Sequence, residues 1–350
     1  MPGRIKSIPR SKKVNVAVVG LGFMGRTHLR AHLENPQAQV VAVCGLNRVP
    51  VNGVLAGIEG NITKTDAIVL RRDVKVFRNF EQLLADPEVE LVDLCTPTAL
   101  HPAQVIAALK AGKHVLCEKP IALNSAAVLK VLKTAKSAPG FLMPAMCMRF
   151  WPGWSELKQI VAEKTYGKIL AARFWRFSEM PTWTQTKTFS DANSSGGALF
   201  DLHIHDTDFI NHLFGRPSGV FSSGVVNKTR RIDHVTTLYH YPKGPEVHAE
   251  ASWLLAQGFN MGYTLHCEKA TLEFDMARGP AALTVLQRGQ PPQTLALEPS
   301  DGYTAEIRYF IDCIARNSPP ETVTARDALI ALQICEAEEK SLRHNRYTKI

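Results

Sequence analysis

The chain has 350 residues, 45% of them hydrophobic and 21% charged, enough apolar material for a core spread over two domains. That composition excludes a disordered chain, a collagen-like repeat and a small disulfide-stapled scaffold. The formal charge is +9, but residues 1–13 hold Arg4, Lys6, Arg10, Lys12 and Lys13 and no acid, so a basic tail precedes a nearly balanced body.

After the tail, Val14–Val19 is the first predicted strand, followed by a helical pattern at Phe23–Asn35 and a strand at Gln39–Cys44. An enlarged stretch between Arg48 and Phe80 carries no assignable role. Beyond it, helical patterns at Glu81–Ala85, His101–Ala111 and Ser125–Lys136 alternate with strands at Leu91–Cys95, His114–Cys117 and Phe141–Met146. These strands are nearly all apolar rather than alternating, as expected where helices cover both faces of a parallel sheet. The succession predicts a doubly wound α/β domain.

The pattern then changes. Trp151–Lys164 reads as helix, Lys168–Ser178 as strand and Gly196–Phe214 as a strong helix. Extended runs follow at Ser218–Asn227, Val235–Tyr241, Val247–Leu255, Phe259–Cys267, Ala270–Phe274 and Ala282–Leu286, broken by Pro, Gly and Asn. Such spacing predicts a mainly antiparallel sheet in an α+β domain. Helices at Thr304–Arg316 and Ala325–His344 close the chain. The boundary falls near Cys147–Pro152, giving a tail (1–13), a dinucleotide-binding region (14–148) and a substrate-binding and oligomerisation region (149–350).

Between the first strand and helix lies Gly20-Leu-Gly22-Phe23-Met24-Gly25, a G-x-G-x-x-G fingerprint. Gly20 permits the tight turn, Gly22 lets backbone approach a pyrophosphate, and Gly25 allows close helix–strand packing; Phe23 and Met24 open the helix beside the phosphates. The competing reading, a tight turn without ligand, fits the β-α-β context poorly. In an NAD site an acid at the end of the second strand grips the ribose. Here that place holds Gly45, and Asn47 and Arg48 follow. Loss of the carboxylate and gain of an arginine favour NADP, through a 2′-phosphate, over NAD held by backbone and Asn47.

At Cys95-Thr96-Pro97-Thr-Ala-Leu-His101-Pro and Gly112-Lys-His-Val-Leu-Cys-Glu118-Lys119-Pro120 the chain resembles the glucose–fructose oxidoreductase / inositol dehydrogenase / MocA-like dehydrogenases. The likeness continues through Gly196-Gly197-x-x-x-Asp201-x-x-x-His205 to Glu306-Ile-Arg-Tyr-Phe-Ile-Asp-Cys, so it spans essentially the whole chain. It implies an N-terminal Rossmann domain and a C-terminal domain whose large open sheet serves as an oligomer interface, hence a homodimer or homotetramer. It also implies a cis Lys119–Pro120 bond and a catalytic Asp201 and His205. Lys119 falls at the C-terminal end of a parallel strand, where it can reach the nicotinamide edge and a reacting oxygen. Glu118 flanks it as a further expected cofactor contact, Thr96 and Pro97 border the nicotinamide ribose, and His101 stands behind them or starts a helix.

On a regular helix Asp201, His205, Asp208 and His212 share one face, with Asp201 and His205 an i, i+4 pair. Asp201 is then placed to orient His205 or bind a substrate hydroxyl, and the imidazole acts as acid–base group. Asp208 is expected to touch substrate or to support a residue that does, whereas His212 suits the core. Many relatives have glycine where this chain has His203. A metal between His203 and His205 is not expected, because residues two apart diverge by about 200° on a helix. Arg149 and Trp151 at the domain junction, and Trp183 in the hydroxyl-rich stretch 180–195, are candidates for a carbohydrate-like substrate.

The expected function is an NAD(P)-dependent oxidoreductase passing a hydride between nicotinamide and a CH–OH carbon of a sugar, polyol or sugar derivative. His205 moves the hydroxyl proton, Lys119 stabilises the oxygen and Asp201 orients both. Two alternatives stand beside it: a glycoside-cleaving enzyme using tightly bound NAD(P) for transient oxidation, and a non-catalytic dinucleotide sensor. No nucleic-acid recognition module is evident, and no apolar run reaches the ~18 residues of a membrane span. The seven cysteines are widely spaced without a C-x-x-C, pointing to a reduced, cytoplasmic protein.

Overall fold

The computed structural model describes residues 13–45, 48–60, 64–181, 196–227 and 229–350. The N-terminal unit runs β1 (Val14–Val19), α1 (Phe23–Glu34), β2 (Ala38–Cys44), β3 (Lys75–Phe77), α2 (Phe80–Leu84), β4 (Leu91–Leu94), α3 (His101–Lys110), β5 (His114–Glu118), α4 (Ser125–Ala135) and β6 (Leu142–Ala145). Its six strands are all parallel, in the order β6-β5-β4-β1-β2-β3. Strand order reverses between β1 and β4, so a crevice opens beyond their carboxyl ends, the place where open α/β sheets bind ligands. Valine-rich β1 is buried except at Asn15, which is why it reads as a continuous apolar run. Asn79 and Asn124 cap α2 and α4 through their side chains.

The predicted doubly wound sheet is present. The enlarged stretch between Arg48 and Phe80 contains β3, too short to read from the sequence. It also contains two nested antiparallel ladders, Val54–Leu55 with Ile68–Val69 and Ile58–Glu59 with Lys64–Thr65. Among the described residues, the β2-to-β3 connection holds no helix.

A 3-10 turn at Cys147–Arg149 marks the junction. The second unit comprises α5 (Trp154–Glu163), β7 (Ile169–Glu179), α6 (Ile204–Phe214), β8 (Gly219–Val226), β9 (Ile232–His240), β10 (Glu246–Ser252), β11 (Leu254–Cys267), β12 (Thr271–Asp275), β13 (Leu283–Leu286) and β14 (Gln293–Thr294). After it come α7 (Gly302–Ala315), α8 (Ala325–His344) and β15 (Thr348–Lys349). The nine strands lie in the order β14-β13-β12-β11-β7-β10-β9-β8-β15, antiparallel except for β7 beside β10. β11 is one 14-residue strand where two runs were expected. Pairing with β7 breaks opposite Ser178 and Glu179, and Gly258, at φ +84°, lies inside that break.

Helices cover the inner face of this sheet, around a core in which Trp154 meets Phe174, Phe209, Tyr263 and Phe274. The last helices return to the first unit. Ile307, Phe310 and Ile311 of α7 are buried in the same core as β1 and Leu29 of α1. Glu336 of α8 accepts hydrogen bonds from the Ser125 amide and hydroxyl at the start of α4, each at 2.7 Å. No helix of the described residues is long and apolar enough to cross a membrane.

Candidate active site

The crevice is floored by the glycine fingerprint. Gly20 has φ +90°, and a Cβ there would stand 2.5 Å from the Cys95 carbonyl oxygen. A Cβ on Gly25 would overlap the Gly20 carbonyl, so glycine alone lets α1 sit this close to the turn. Gly22 is the N-cap of α1 and no side chain caps the helix, which leaves its first-turn amides and positive dipole end facing the crevice. Phe23 and Met24 lie half-buried on that first turn. This cradle fits a dinucleotide pyrophosphate. Gly45, at the tip of β2, brings no carboxylate and donates its N–H to the Phe77 carbonyl at 3.1 Å. Arg48 stands over the cradle, its Nη1 3.6 Å from where a Cβ on Gly22 would lie, while Asn47 and Trp183 lie outside the described residues.

Thr96 and Pro97 leave the end of β4 towards the crevice, Thr96 donating its hydroxyl to Gln104 Oε1 at 2.5 Å. His101 starts α3 and stands behind the Thr96 turn instead of facing a ligand. It is buried, with Nδ1 2.8 Å from the Pro120 carbonyl and Nε2 2.7 Å from the Thr96 carbonyl. Its ring therefore straps the Thr96 turn to the Lys119–Pro120 turn.

Lys119 follows β5, and the Lys119–Pro120 peptide is cis. Its Nζ donates to the main-chain carbonyl of Asp201 at 2.7 Å and to the Asp201 carboxylate at 3.1 Å. Burial pulls the ammonium's pKa down, but Asp201 and Glu118 outweigh it and hold the group above the ordinary lysine value. Glu118 itself corrects an expectation. Its carboxylate is buried and turned inward, accepting from the Lys119 amide at 3.0 Å and standing 3.1 Å from His28 Nε2, so it supports the lysine turn instead of contacting cofactor.

The helix carrying Asp201 and His205 is irregular. Gly196 and Gly197 have φ +74° and +78°, helix begins at Gly197, and Leu199–His203 form a π turn before α6. The wider turn upsets the i, i+4 register on which an Asp201–His205 pair was expected. Asp201 turns to Lys119, and His205 Nδ1 is buried with no hydrogen-bond partner among the described residues. The expected orienting of His205 by Asp201 is thus corrected: Asp201 orients Lys119. Burial, reinforced by the cations Lys119 and Arg176, drives the His205 pKa well below its ordinary value, so the imidazole is neutral. His203 points the other way, its Nε2 3.1 Å from the Tyr239 hydroxyl and 3.4 Å from Glu338.

Two more expectations are overturned. Arg149 and Asp208, predicted to touch substrate, engage each other: Nε and Nη2 reach the two carboxylate oxygens at 2.8 and 2.6 Å. Nη1 donates to the Thr322 carbonyl at 2.8 Å, and the two side chains are only 2% and 1% exposed. They pin the domain junction to α6 and the approach to α8. His212, expected in the core, is only partly buried with its ring against Phe209, and its pKa is lowered to about 3 by burial and by Arg149 and Lys158.

Arg176 is a residue that the sequence reading missed. It pairs bidentately with Asp206 at 3.0 Å, lies over the Trp154 ring, and contributes to the positive field on His205. A signal existed: along β7 the inward positions are Ala172, Phe174, Arg176 and Ser178, and a lone arginine on an apolar face calls for a buried partner.

Residues 14–146 match a family model described as an oxidoreductase family with an NAD-binding Rossmann fold. Residues 154–273 match the model of the GFO/IDH/MocA C-terminal domain. The chain is 34% identical over 175 residues to trans-1,2-dihydrobenzene-1,2-diol dehydrogenase of Mus musculus, a match spanning 49% of this chain and 51% of that protein. It is 28% identical over 350 residues to myo-inositol 2-dehydrogenase of Thermotoga maritima, spanning 96% and 98%. A structure of levoglucosan dehydrogenase in complex with NADH and levoglucosan superposes with a TM-score of 0.81 at 20% identity, over 97% of this chain and 100% of that one. The chain thus spans about half the length of the dihydrodiol dehydrogenase, but nearly all of the other two.

Proposed function

This chain belongs to the Gfo/Idh/MocA family of nicotinamide-dependent oxidoreductases, and from that premise we propose that it oxidises a ring-borne secondary alcohol, or reduces the matching ketone, on a sugar, polyol or related cyclic diol. The observation that carries the proposal is the grouping of Lys119, Asp201 and His205 beside the glycine cradle. The names of the relatives agree, since a trans-diol, an inositol and an anhydrosugar all present a ring hydroxyl with a hydroxyl neighbour.

When bound, the nicotinamide supplies the hydride acceptor. The α1 amides and Gly20–Gly25 would hold its phosphates, with Thr96 and Pro97 bordering the adjoining ribose. Asp201 occupies two of the three Lys119 donors. The third is left for the carbinol oxygen, where it steadies the negative charge that grows as hydride leaves. The neutral His205 imidazole accepts the hydroxyl proton, and burial, with the charges of Lys119 and Arg176, keeps it from being protonated beforehand. NADP is the proposed cofactor, supported by the missing acid at Gly45 and the arginine three residues later. A sensor would have no use for this acid–base group.

A second copy is proposed to seat on the outer face of the nine-stranded sheet, where Phe221, Leu238 and Leu254 are exposed. The deciding experiment is a panel of trans-diols, inositols, anhydrosugars and their ketones, followed at 340 nm with NAD and NADP side by side. Turnover of such a substrate is expected, faster with NADP. No absorbance change across the panel overturns the substrate class, and an equal rate with NAD overturns the cofactor reading.

A further inference from the structure

A second polar cluster lies beneath the site, outside the expected catalytic residues. Asp93, on β4, receives two imidazoles from α1: His28 Nδ1 at 3.1 and 3.0 Å from its two oxygens, and His32 Nε2 at 2.8 Å. All three side chains are fully buried. The other nitrogen of His28 stands 3.1 Å from Glu118 Oε1, at ion-pair distance though off the line of a hydrogen bond. The remaining oxygen of Glu118 accepts from the Lys119 amide, and Lys119 Nζ reaches Asp201.

Signs alternate along this path: Asp93, His28, Glu118, Lys119, Asp201. An imidazole with a carboxylate at each ring nitrogen needs a proton on both, because the neutral ring donates from only one. His28 is thus a buried cation set between the Asp93 and Glu118 carboxylates.

We propose that His28 is a positioning residue for Lys119, acting through Glu118 and tying α1, the cofactor helix, to the orientation of the lysine. The proposal rests on the reading of Lys119 as a catalytic group. Burial disfavours the charged His28 ring, but Asp93 overrides it and raises its pKa well above the ordinary value. The other groups facing His28 are His32 on its own helix, Cys95 after β4, and Tyr303 and Glu306 on α7. Burial raises the pKa values of Cys95, Tyr303 and Glu306, which disfavours a negative charge on any of the three and leaves His28 to face Glu118. Lys119 is faced by Glu118, Asp201, His205 and Cys147, and the two carboxylates are the groups that hold its pKa up.

His28→Gln keeps the size of the side chain but removes the cation. The Glu118 carboxylate then loses the partner that holds it in place, its pull on the Lys119 ammonium weakens, and the lysine loses its own proton at lower pH. Full-length, cofactor-free protein is acetylated across a pH series and the Lys119 peptide is followed by mass spectrometry. The expected result is a labelling midpoint moved to lower pH in H28Q, the same movement in E118Q, and no further movement in the double variant. Turnover in H28Q is expected to fall about 10- to 100-fold, as a misplaced catalytic group costs, with the affinity for reduced cofactor unchanged. An unmoved midpoint in H28Q, or shifts that add in the double variant, overturns the proposal. Should H28Q not fold, E118Q leaves the His28–Asp93 pair intact, and an unmoved midpoint there is equally fatal. The labelling uses neither substrate nor cofactor, so its outcome is separate from the success or failure of the substrate panel.

Discussion

Arg149 and Asp208 enclose one another so completely that neither retains an edge for a third molecule: two short bonds join them, and the arginine's remaining nitrogen is taken by the Thr322 carbonyl. Asp327 lies a further 3.4 Å from the same guanidinium. Breaking one side of a buried pair strands the other charge, so Arg149→Ala is expected to cost about 3–5 kcal/mol of stability. Replacing both, as Arg149→Met with Asp208→Leu, is expected to cost far less. Denaturant unfolding checks both, and a larger change in substrate KM than in stability would restore a binding role.

Lys119 and His205 are expected to matter for turnover alone. Lys119→Ala and His205→Ala should each lower kcat by about 10²- to 10⁴-fold, since each removes an acid–base or charge-stabilising contact. Binding of reduced cofactor, read by fluorescence, should persist because the α1 cradle is untouched. Wild-type turnover in either variant sinks the mechanism.

The pH profile follows from the two shifted groups. Oxidation requires neutral His205, whose pKa lies well below the ordinary imidazole value, so activity is lost only as the pH falls well under 6.5. It also requires charged Lys119, whose pKa lies above the ordinary amine value, so the alkaline limb appears beyond about 10.4. A broad plateau of kcat/KM between them is expected. A limb near neutrality would show that another group governs proton transfer.

Arg48 provides the cofactor test. Arg48→Ala should weaken NADP binding about tenfold or more, the worth of a charge-assisted contact, and leave NAD binding unchanged. Equal losses for both dinucleotides would remove Arg48 from 2′-phosphate recognition.

The cofactor half was largely legible because its strands are buried on both faces, and uniform apolar runs announce that. β3 was not, being three residues with two exposed. Lys119, Asp201 and His205 were found by residue type and spacing, but the Lys119–Asp201 bond joins positions 82 apart, a distance that helix periodicity does not reach. Periodicity even misled locally, since the π turn at Leu199–His203 leaves no mark in hydrophobic pattern. Arg149 and Asp208 misled for another reason: a guanidinium and a carboxylate look the same in sequence whether they meet a ligand or, 59 residues apart, each other.

Helix α7 gives the molecule an unusual order of assembly. Its buried Ile307, Phe310 and Ile311 complete a core begun by Val14 and Val16. The nine-stranded sheet is therefore an excursion spliced into the dinucleotide unit and not an appendage to it. During synthesis, which proceeds from the N-terminus, the first unit waits with an apolar flank uncovered until the chain has passed residue 315. A fragment ended at the junction near Cys147 would keep that flank open for good.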